Sequence, residues 1–504
     1  MKIIVKKLGG ENAAELYKSS LNILEDNKQG KKQIIVVSAI RSPQVNTTDH
    51  LIEIGQQLGQ SIIDKKEVWR IVDILHDFHL YIAQEKLSIH GIDISEFVEE
   101  LFEQFKGKIE FYMNLLDSEL KPSSHNDYSL QDKNGDVFSL VGFGELLSSQ
   151  ILSKVISEVS KDSVKGKNID LSHILKPHET DKKSDREIFK SLEDKIFLAA
   201  NLELENGNIP IIGGYIGVFS EGIENTMGRG YTDATAAICI VGFAHKGYEG
   251  ILEIQKSVKG VLSADPRILY KPESARLITE LDYVTAREIT GDSGANAKLL
   301  HSQAIREEVQ EAGVKIHLFD PFRTTRRSGT WVVPALKEGG EGDIGRLFIG
   351  GRKNIIFFSI SSAKMFQPGL LANIFNTVKE YFSVDIISAS ETEVAFTIDG
   401  TKDIQKKLDK MEEELRMICN IRENTHMEFV EYTTDMALVF CIGQHMRNHI
   451  GLLAKASNVL SKNDINIEIV SQGRLQRAMV FGIEGRHMQK AINVLHEEFV
   501  DNIS

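Results

Sequence analysis

Cysteine is scarce in this sequence. The 504 residues contain three cysteines, Cys239, Cys419 and Cys441, which lie far apart and form no CxxC pair. This odd, scattered set provides no disulfide framework. It indicates a reducing compartment in which the thiols stay free and buried.

Excess basic charge and long apolar runs are also absent. Lys and Arg number 59 against 72 Asp and Glu, which gives a formal net charge of −13. A nucleic-acid-binding surface needs a basic stripe, and the sequence has none. No apolar run is long enough to span a bilayer, and residues 1–5 lead into an expected strand rather than a signal peptide. We therefore expect a cytoplasmic protein that binds neither nucleic acid nor a membrane.

The sequence has enough apolar material for more than one folded core. Hydrophobic residues make up 42% of the chain and charged residues 26%, which is typical of soluble globular proteins. A chain of 504 residues predicts two to four domains.

The first third alternates strand and helix signals. Residues 2–7 and 33–40 are aliphatic runs that predict strands buried in a parallel sheet. Thr47 or Thr48 would cap the helix that follows. Strand-turn-helix units of this kind bind ligands beyond the carboxyl ends of their strands.

Further elements follow this first α/β unit. Helical periodicity covers about 65–115, and two polar stretches at 121–136 and 163–185 predict surface loops. The remaining predicted elements are a strand over 209–218, a helix opening near Thr232, a helix over 298–311 closed by Gly313, and a strand over 314–320.

The last third contains an internal repeat. The sequence GLLA opens a predicted helix at 369 and again at 451. Each helix follows a strand and precedes two strands and a second helix. This order, β-α-β-β-α twice over, is typical of ferredoxin-like modules, and a duplicated module is more often regulatory than catalytic.

Two stretches near the N-terminus suit a phosphate or a small ligand. Lys7 adjoins Gly9 and Gly10 at a strand end, where an ammonium group and backbone amides can approach phosphoryl oxygens. A glycine pair after a strand is also an ordinary turn. Ser38, with Thr47 and Thr48, would line the same mouth of the sheet, although helix capping explains either threonine equally well.

Two later stretches add charged side chains. Gly144-Glu145 places a carboxylate at an expected helix start, where it also suits the helix dipole. The segment GRGYTD at 228–233 contains Arg229, whose planar guanidinium group can bind a carboxylate through two hydrogen bonds. Thr232 and Asp233 would cap the next helix. A capped turn without a ligand is the alternative for this segment.

The motifs KLGG, VVSA, FGE, GRGYTD, SADPR and KLLH occur in the order seen in aspartokinases, and the sequence resembles that group of the amino-acid kinase family. The tail, with SVDIISASE and SQG, resembles the paired ACT domains of the same enzymes. The resemblance implies an α/β fold: an αβα-sandwich kinase domain over 1–335, with a mainly parallel sheet and insertions at about 65–200. Two ferredoxin-like (ACT) βαββαβ modules would follow over 350–425 and 433–504.

The resemblance also implies an aspartate kinase, which uses ATP with Mg²⁺ to phosphorylate the β-carboxylate of aspartate on the way to lysine, threonine and methionine. Lys7, Gly9 and Gly10 would hold the transferring phosphoryl group, because phosphoryl transfer needs mainly positioning and charge stabilisation. Three further cations, Lys298, Lys256 and Arg267, would contact the nucleotide phosphates. The phosphates and water would hold the Mg²⁺, so no protein metal site is expected.

On the substrate side, Glu145 would bind the amino group of aspartate and Arg229 its α-carboxylate. Ser38, Thr48 and Thr232 would add hydrogen bonds. Asp233 would orient Lys7 or the substrate. It would not act as a general base, because a carboxylate nucleophile is already deprotonated at pH 7.

The sequence departs from the family pattern mainly where ATP is expected. Glu11 and Asn12 stand where the family has Thr-Ser, and an acid beside a triphosphate is unfavourable. Further departures are Ile212, Ser257, Leu262, Asn296 and Ser302. Because the charged core is spared, we expect an active or weakened kinase. The alternatives are a catalytically impaired amino-acid sensor or regulatory subunit, and another carboxylate or carbamate kinase.

The ACT pair would bind an end-product amino acid, lysine or threonine, and would mediate homo-oligomer formation. The matching positions are Gly369, Leu371, Asp385 and Ser390. A helix start attracts a carboxylate and Asp385 suits an amino group, although GLLA is also typical of a tightly packed helix start.

His76 and His79 have helical i, i+3 spacing, which can suit a metal ion. No third ligand is evident nearby, so we expect a surface pair instead.

Overall fold

The computed structural model describes residues 1–58, 63–117, 129–131, 137–171, 185–216, 230–291, 295, 300–323, 328–335, 347–365, 367–400, 404–444, 446–473 and 477–501. The chain forms two compact units. The first comprises Met1–Gly260 and Gln303–Pro334, and the second Val261–Ser302 and Ala335–Ser504. The sequence-based domain boundary at 335 differs from this division, because residues 261–302 group with the C-terminal part.

The regular elements are numbered here in chain order. The strands are β1 (Lys2–Leu8), β2 (Lys32–Val37), β3 (Ser129–Gln131), β4 (Val137–Ser139), β5 (Gly166–Ile169), β6 (Ile209–Gly213), β7 (Glu249–Gln255), β8 (Val261–Leu262), β9 (Leu277–Ile278), β10 (Glu280–Asp282), β11 (Lys315–Phe319), β12 (Thr330–Val333), β13 (Phe348–Ser361), β14 (Val384–Ala389), β15 (Glu393–Asp399), β16 (Phe429–Ile442), β17 (Ile469–Gln472) and β18 (Ala478–Glu484). The α-helices are α1 (Gly10–Ala13), α2 (Leu16–Lys28), α3 (Thr47–Leu58), α4 (Lys65–Tyr81), α5 (Ser95–Asp117), α6 (Leu140–Val159), α7 (Asp185–Glu205), α8 (Tyr231–His245), α9 (Tyr283–Thr290), α10 (Glu307–Glu311), α11 (Leu370–Val378), α12 (Gln405–Cys419), α13 (Leu452–Lys462) and α14 (Met488–His496).

The first unit is built on a mainly parallel sheet. Within this unit the strand order is β12-β11-β7-β1-β2-β6-β5. The neighbouring pairs from β11 to β5 are parallel, and β12 is antiparallel to β11. The central strands are aliphatic and buried along most of their length, as expected for strands covered on both faces. This arrangement confirms the predicted α/β class.

Adjacent lysines of β1 point to opposite faces of this sheet, because strand side chains alternate. Lys6 is buried, and its Nζ donates to Oδ2 of Asp26 on α2 at 2.5 Å and to Oε1 of Gln33 at 2.6 Å. Lys7 extends to the other face. The two lysines therefore belong to different environments despite being neighbours.

Several predicted elements of the first unit need correction. The stretch 163–185 is not simply a surface loop, because it supplies the edge strand β5. The periodic region 65–115 forms two helices, α4 and α5. They are joined by a π-helical turn at Ile82–Lys86, a 3-10 turn at Ser88–His90 and a loop in which Asp93 accepts hydrogen bonds from the amide and hydroxyl of Ser95. In place of a helix over 298–311, the described residues form a short turn at Ser302–Ile305 and the single-turn α10. The predicted closing residue Gly313 does adopt a left-handed conformation, with φ 67°.

The second unit confirms the internal repeat. Both GLLA sequences begin helices after a left-handed glycine, Gly369 with φ 91° before α11 and Gly451 with φ 87° before α13. Each repeat supplies three strands to one six-stranded antiparallel sheet, in the order β14-β15-β13-β16-β18-β17. Two hydrophobic cores lie under this sheet, one for each repeat.

The two repeats exchange halves of their long central strands. Residues 348–352 of β13 pair with 438–442 of β16, whereas 357–361 pair with 429–433. Ile349 consequently belongs to the core of the second repeat and Val430 to that of the first. Asn354 and Asp435, with φ 59° and 58°, lie where each strand passes from one repeat to the other. Each βαββα unit thus receives its fourth strand from its neighbour.

Candidate active site

Three charged side chains meet at the carboxyl edge of the parallel sheet. Nζ of Lys7 lies 2.8 Å from Oδ1 of Asp233, and Nζ of Lys256 donates to Oδ2 of the same carboxylate at 2.8 Å. The side chains of Lys7 and Asp233 are buried, and that of Lys256 is 24% exposed. Two ammonium groups on one carboxylate leave one positive charge in excess, so the cluster suits an anion.

Burial and ion pairing act against each other in this cluster. Burial lowers the pKa of Lys7, although the charge of Asp233 raises it. Burial raises the pKa of Asp233, but the charges of Lys256 and Lys7 outweigh that effect and hold the pKa well below its ordinary value. Asp233 therefore stays ionised at neutral pH and fixes the positions of both lysines.

The fold brings these residues together from three separate elements. Lys7 is the penultimate residue of β1, Lys256 directly follows β7, and Asp233 lies in the first turn of α8. Strands β1 and β7 are parallel neighbours, so their carboxyl ends meet at one edge. Thr232 and Asp233 do not cap α8 as predicted. Gly230, with φ 96°, occupies the capping position, and the side chains of both residues are buried within the helix.

A buried carboxylate lies on the other side of the same edge. Glu145 is 3% exposed and belongs to α6. It was expected at a helix start, but α6 begins at Leu140, so the helix dipole does not explain it. Burial raises the pKa of Glu145 to about 7, against the hydrogen bond from Tyr231, which lowers it.

One oxygen of Glu145 is engaged and the other is not. The hydroxyl of Tyr231 donates to Oε1 at 2.9 Å. Among the residues that the structure describes, Oε2 has no hydrogen-bond partner although it is shielded from solvent. A buried carboxylate oxygen without a donor is unfavourable unless a ligand supplies one. The amino group of a small substrate is such a donor.

Two glycines allow α6 and α8 to approach this edge. A Cβ atom at Gly213 would lie 3.0 Å from the carbonyl oxygen of Glu145, and one at Gly214 would overlap the side chain of Thr232. The hydroxyl of Thr235 also donates to the carbonyl of Gly214. The turn after β6 therefore sets the spacing between the helix of Glu145 and the helix of Asp233.

The other residues predicted near β1 and β2 lie at the same strand ends. Gly9 follows β1, but its amide donates to the carbonyl of Gln255 at 2.9 Å, so that amide is already engaged. A Cβ atom at Gly10 would lie 2.5 Å from the carbonyl oxygen of Ala39, so a close approach requires glycine there. Ser38, directly after β2, and Thr48 in α3 are both half-buried.

Three of the predicted cations are not placed in this cluster. Arg229 and Lys298 lie outside the described residues. Arg267 belongs to the second unit, where it is exposed and pairs with Asp265 at 2.7 Å. Their roles stay predictions.

Glu11, the most unfavourable departure from the family pattern, has a cationic neighbour. Its Oε1 lies 3.5 Å from Nη2 of Arg41, and both side chains are about half exposed. This pairing offsets the negative charge of Glu11 near the end of β1.

The predicted effector residues occupy the first repeat of the second unit. Gly369 precedes α11, and Leu371 is 37% exposed. Asp385 forms a buried ion pair with Arg352, and Ser390 accepts the amide of Glu393 in the turn between β14 and β15. Both polar side chains therefore have partners within the chain, and effector binding stays a prediction.

The histidine pair is not on the surface, contrary to expectation. His79 is 1% exposed, its Nδ1 lies 2.7 Å from the carbonyl of Leu75, and burial lowers its pKa to about 4. His76 pairs with Glu99 at 2.8 Å, and both rings pack against Phe102. The described residues contain no cluster of three or more metal-ligating side chains. Both histidines therefore serve helix packing.

With this geometry established, comparison with known proteins identifies the family. The model of the amino acid kinase family matches residues 2–320, which is more than half of the chain. This chain belongs to the amino acid kinase family. A model of the ACT domain matches residues 439–499 as well. The site described above therefore lies in an amino acid kinase unit, and the second repeat is an ACT domain.

Curated relatives match this amino acid kinase over most of its length. The aspartokinase of Schizosaccharomyces pombe is 25% identical, covering 99% of this chain and 93% of the relative. The aspartokinase of Saccharomyces cerevisiae is 28% identical, covering 71% of this chain and 68% of the relative.

Solved structures match the fold of the whole amino acid kinase chain. Clostridium acetobutylicum aspartate kinase has a TM-score of 0.70 at 21% identity, covering 99% of this chain and 100% of that one. E. coli aspartokinase III in complex with aspartate and ADP has a TM-score of 0.68 at 21% identity, covering 98% and 99%. These matches confirm the predicted combination of a kinase fold with ACT modules.

Tyr231 is a site residue that was not predicted from the sequence. It stood inside the GRGYTD motif, but its contact with Glu145 joins helices α8 and α6, which are distant in the sequence. No local pattern signals such a contact.

Among the described helices, none is long and apolar enough to cross a membrane.

Proposed function

We propose that this amino acid kinase transfers the γ-phosphoryl group of ATP to the β-carboxylate of aspartate. The observation that carries the proposal is a buried, half-satisfied carboxylate, Glu145, beside the cationic cluster of Lys7 and Lys256. The carboxylate suits a substrate ammonium group, and the cluster suits phosphoryl oxygens. Aspartokinases of two yeasts among the relatives support the choice of aspartate.

In the proposed reaction, a β-carboxylate oxygen attacks the γ-phosphorus in line, and the bond from that phosphorus to the bridging oxygen of ADP breaks. ADP leaves with the bonding electron pair, and the product is 4-phosphoaspartate. No general base is required, because the nucleophile is already an anion at neutral pH. Lys7 and Lys256 stabilise the charge on the transferring group, and Asp233 holds both lysines in place.

The substrate is held by side chains that bind its ammonium group and its α-carboxylate. Glu145 binds the ammonium group of aspartate, and Arg229 binds its α-carboxylate as a bidentate partner. Ser38, Thr48 and Thr232 contribute hydrogen bonds. This arrangement leaves the β-carboxylate as the nucleophile, because it alone is not held by a counter-ion on the protein.

Mg²⁺ is expected to arrive with the nucleotide. We expect the ion to be held mainly by phosphates and water. When bound, the ion neutralises phosphate charge.

The ACT repeats are proposed to bind lysine or threonine and to couple that binding to catalysis. E. coli aspartokinase III has also been solved with lysine and aspartate, and its fold matches this chain with a TM-score of 0.63. Gly369, Leu371, Asp385 and Ser390 are the proposed contacts. An effector amine at Asp385 would have to compete with Arg352. Homo-oligomer formation through these repeats and a cytoplasmic location are further proposals.

The experiment that tests the function is a substrate panel with the full-length chain. ADP release with Mg-ATP is measured with aspartate, glutamate, N-acetylaspartate and carbamate, and the acyl phosphate is trapped with hydroxylamine. We expect turnover and hydroxamate with aspartate, and at least a hundredfold less with N-acetylaspartate, which cannot place an ammonium group at Glu145. Aspartate binding without any turnover would contradict the proposal and favour an amino-acid sensor.

A further inference from the structure

Tyr231 is buried at the beginning of α8, and a buried tyrosine hydroxyl needs a hydrogen-bond partner. Its side chain is 4% exposed, and its hydroxyl reaches Oε1 of Glu145 at 2.9 Å. The left-handed Gly230 immediately before it turns the chain so that the first helical residue points across the edge of the sheet. The hydrogen bond therefore joins two helices that otherwise meet through the turn at Gly213 and Gly214.

The Tyr231 ring packs against a second tyrosine that is itself held by α6. The ring of Tyr215 meets it edge-on, with centroids 6.2 Å apart. Tyr215 itself packs on the backbone of α6, because a Cβ atom at Gly142 would lie 2.5 Å from its ring. A ring held this way has lost its freedom to turn before any ligand binds, so its hydroxyl presents a fixed donor to Glu145.

We propose that Tyr231 is a positioning residue that takes one oxygen of Glu145 and thereby reserves Oε2 for the substrate ammonium group. The inference rests on the proposed function, since it takes the amino group of aspartate as the ligand of Glu145. Tyr231 itself does not touch the reacting atoms. It acts by fixing the rotation of the carboxylate, which leaves Oε2, without a hydrogen-bond partner among the described residues, for the ligand.

A second consequence concerns the charge of Glu145. A hydrogen bond from a neutral hydroxyl stabilises the carboxylate form, and substrate ammonium binds that form. The other groups that act on this charge are Lys7 of β1 and backbone groups at Ala39, after β2, and at Glu145 itself. Asp233 of α8 faces Lys7 from the opposite side. Among the described residues, Tyr231 is thus the uncharged side chain whose hydrogen bond favours the ionised form of Glu145 against the effect of burial.

The test compares Tyr231→Phe with Tyr215→Phe in the full-length chain. Steady-state rates with aspartate and saturating Mg-ATP are measured from pH 5.5 to 9, and the melting temperature of each variant is recorded. For Tyr231→Phe we expect KM for aspartate to rise about tenfold, in line with the loss of a hydrogen bond to a charged group, while kcat changes less than threefold. The acid limb of kcat/KM should move to higher pH. Tyr215→Phe should move neither quantity, because its ring remains in place.

A double variant separates positioning from general damage to the fold. In a Glu145→Gln background nothing titrates at this position, so adding Tyr231→Phe should produce no further shift of the acid limb. An additional shift in the double variant would overturn the proposal. So would an unchanged KM and pH limb in Tyr231→Phe, or a fall in kcat with KM unchanged.

The proposal can also be tested if the chain turns over no substrate. Infrared difference spectra of the free protein, with Glu145→Gln as the reference, report the titration of the Glu145 carboxyl directly. A higher pKa in Tyr231→Phe than in the wild type supports the positioning role whatever the reaction is. An identical titration in the two proteins contradicts it. Failure of the aspartate assay alone would count only against the proposed function.

Discussion

The Nζ atom of Lys7 lies 2.8 Å from Oδ1 of Asp233, and both side chains are buried where β1 ends and α8 begins. The same carboxylate receives Lys256 from the end of β7. A single aspartate therefore holds two cations at the position where phosphoryl oxygens are proposed to bind. The stability of the cluster and its activity consequently depend on the same group.

Replacing that carboxylate should damage both properties. In Asp233→Asn, two ammonium groups would remain without a counter-ion, and one of them is buried. We expect the free energy of unfolding to fall by about 3–5 kcal/mol, together with a loss of turnover of at least a hundredfold. Urea unfolding and ADP release measure the two effects.

The matched control for this variant is an exposed ion pair in the same unit. Asp194 pairs with Lys246 at 2.9 Å, with both side chains about half exposed. Asp194→Asn should change the free energy of unfolding by less than about 1 kcal/mol and leave turnover intact. Equal effects of the two variants would show that Asp233 is not a special position.

Glu145 should lower the free energy of unfolding at the pH where its ionised form is needed to bind the substrate. Its pKa in the folded protein is about 7, above the ordinary 4.5, so between these values the folded chain keeps a proton that the unfolded chain has lost. The free energy of unfolding therefore decreases as pH rises through this window, by up to about 3 kcal/mol. Glu145→Gln should remove that decrease and be the more stable protein at pH 8.

The same substitution should weaken aspartate binding. A glutamine side chain cannot supply a negative charge to an ammonium group, so we expect KM for aspartate to rise about a hundredfold. Denaturant unfolding at pH 5 and pH 8, together with kinetics at pH 8, checks both statements. A variant that is less stable than the wild type at pH 8 would contradict the titration expected for Glu145.

Lys6 and Lys7 should behave differently although they are adjacent. Lys6 pairs with Asp26 under α2, on the face of the sheet away from the cluster. Lys6→Met should lower the free energy of unfolding by about 3–5 kcal/mol, while kcat of the folded protein changes less than threefold. Adding Asp26→Asn should recover part of the stability. If Lys6→Met lost turnover but kept the wild-type stability, the roles assigned to Lys6 and Lys7 would be wrong.

The turn after β6 should tolerate no side chain. Gly214→Ala would push against Thr232, so we expect α8 to shift and kcat/KM for aspartate to fall at least tenfold. Gly107 in α5 is the control, because a Cβ atom there meets nothing within 4 Å. Gly107→Ala should stabilise the chain by about 1 kcal/mol with unchanged kinetics. Similar kinetics of the two variants would contradict the spacing role of Gly214.

Much of the fold could be predicted from short sequence patterns. The aliphatic runs at 2–7 and 33–40 predicted parallel strands, and the two GLLA sequences predicted the repeat. The start of α6 was missed because its residues are buried on nearly all sides, which removes the amphipathic pattern that marks a surface helix. The exchange of strand halves between β13 and β16 was not predicted, since it depends on pairing between repeats rather than on local sequence.

The candidate active site could be predicted only in part from the sequence. Lys7, Glu145 and Asp233 were singled out from motifs, and the structure places Lys7 and Asp233 in direct contact. Helix capping was assigned to Thr232 and Asp233 because both are good capping residues, but Gly230 takes that position through its left-handed backbone. Tyr231 was missed because its role depends on a contact between distant helices.

Hydroxamate formation from aspartate and Mg-ATP by the wild type and by Lys7→Ala tests the proposed phosphoryl site most directly. Circular dichroism establishes that both proteins are folded. We expect aspartate-dependent hydroxamate in the wild type and a rate at least a hundredfold lower in Lys7→Ala, with aspartate binding, measured by calorimetry, retained in the variant. Hydroxamate formation by folded Lys7→Ala at the wild-type rate would contradict the placement of the phosphoryl group at Lys7.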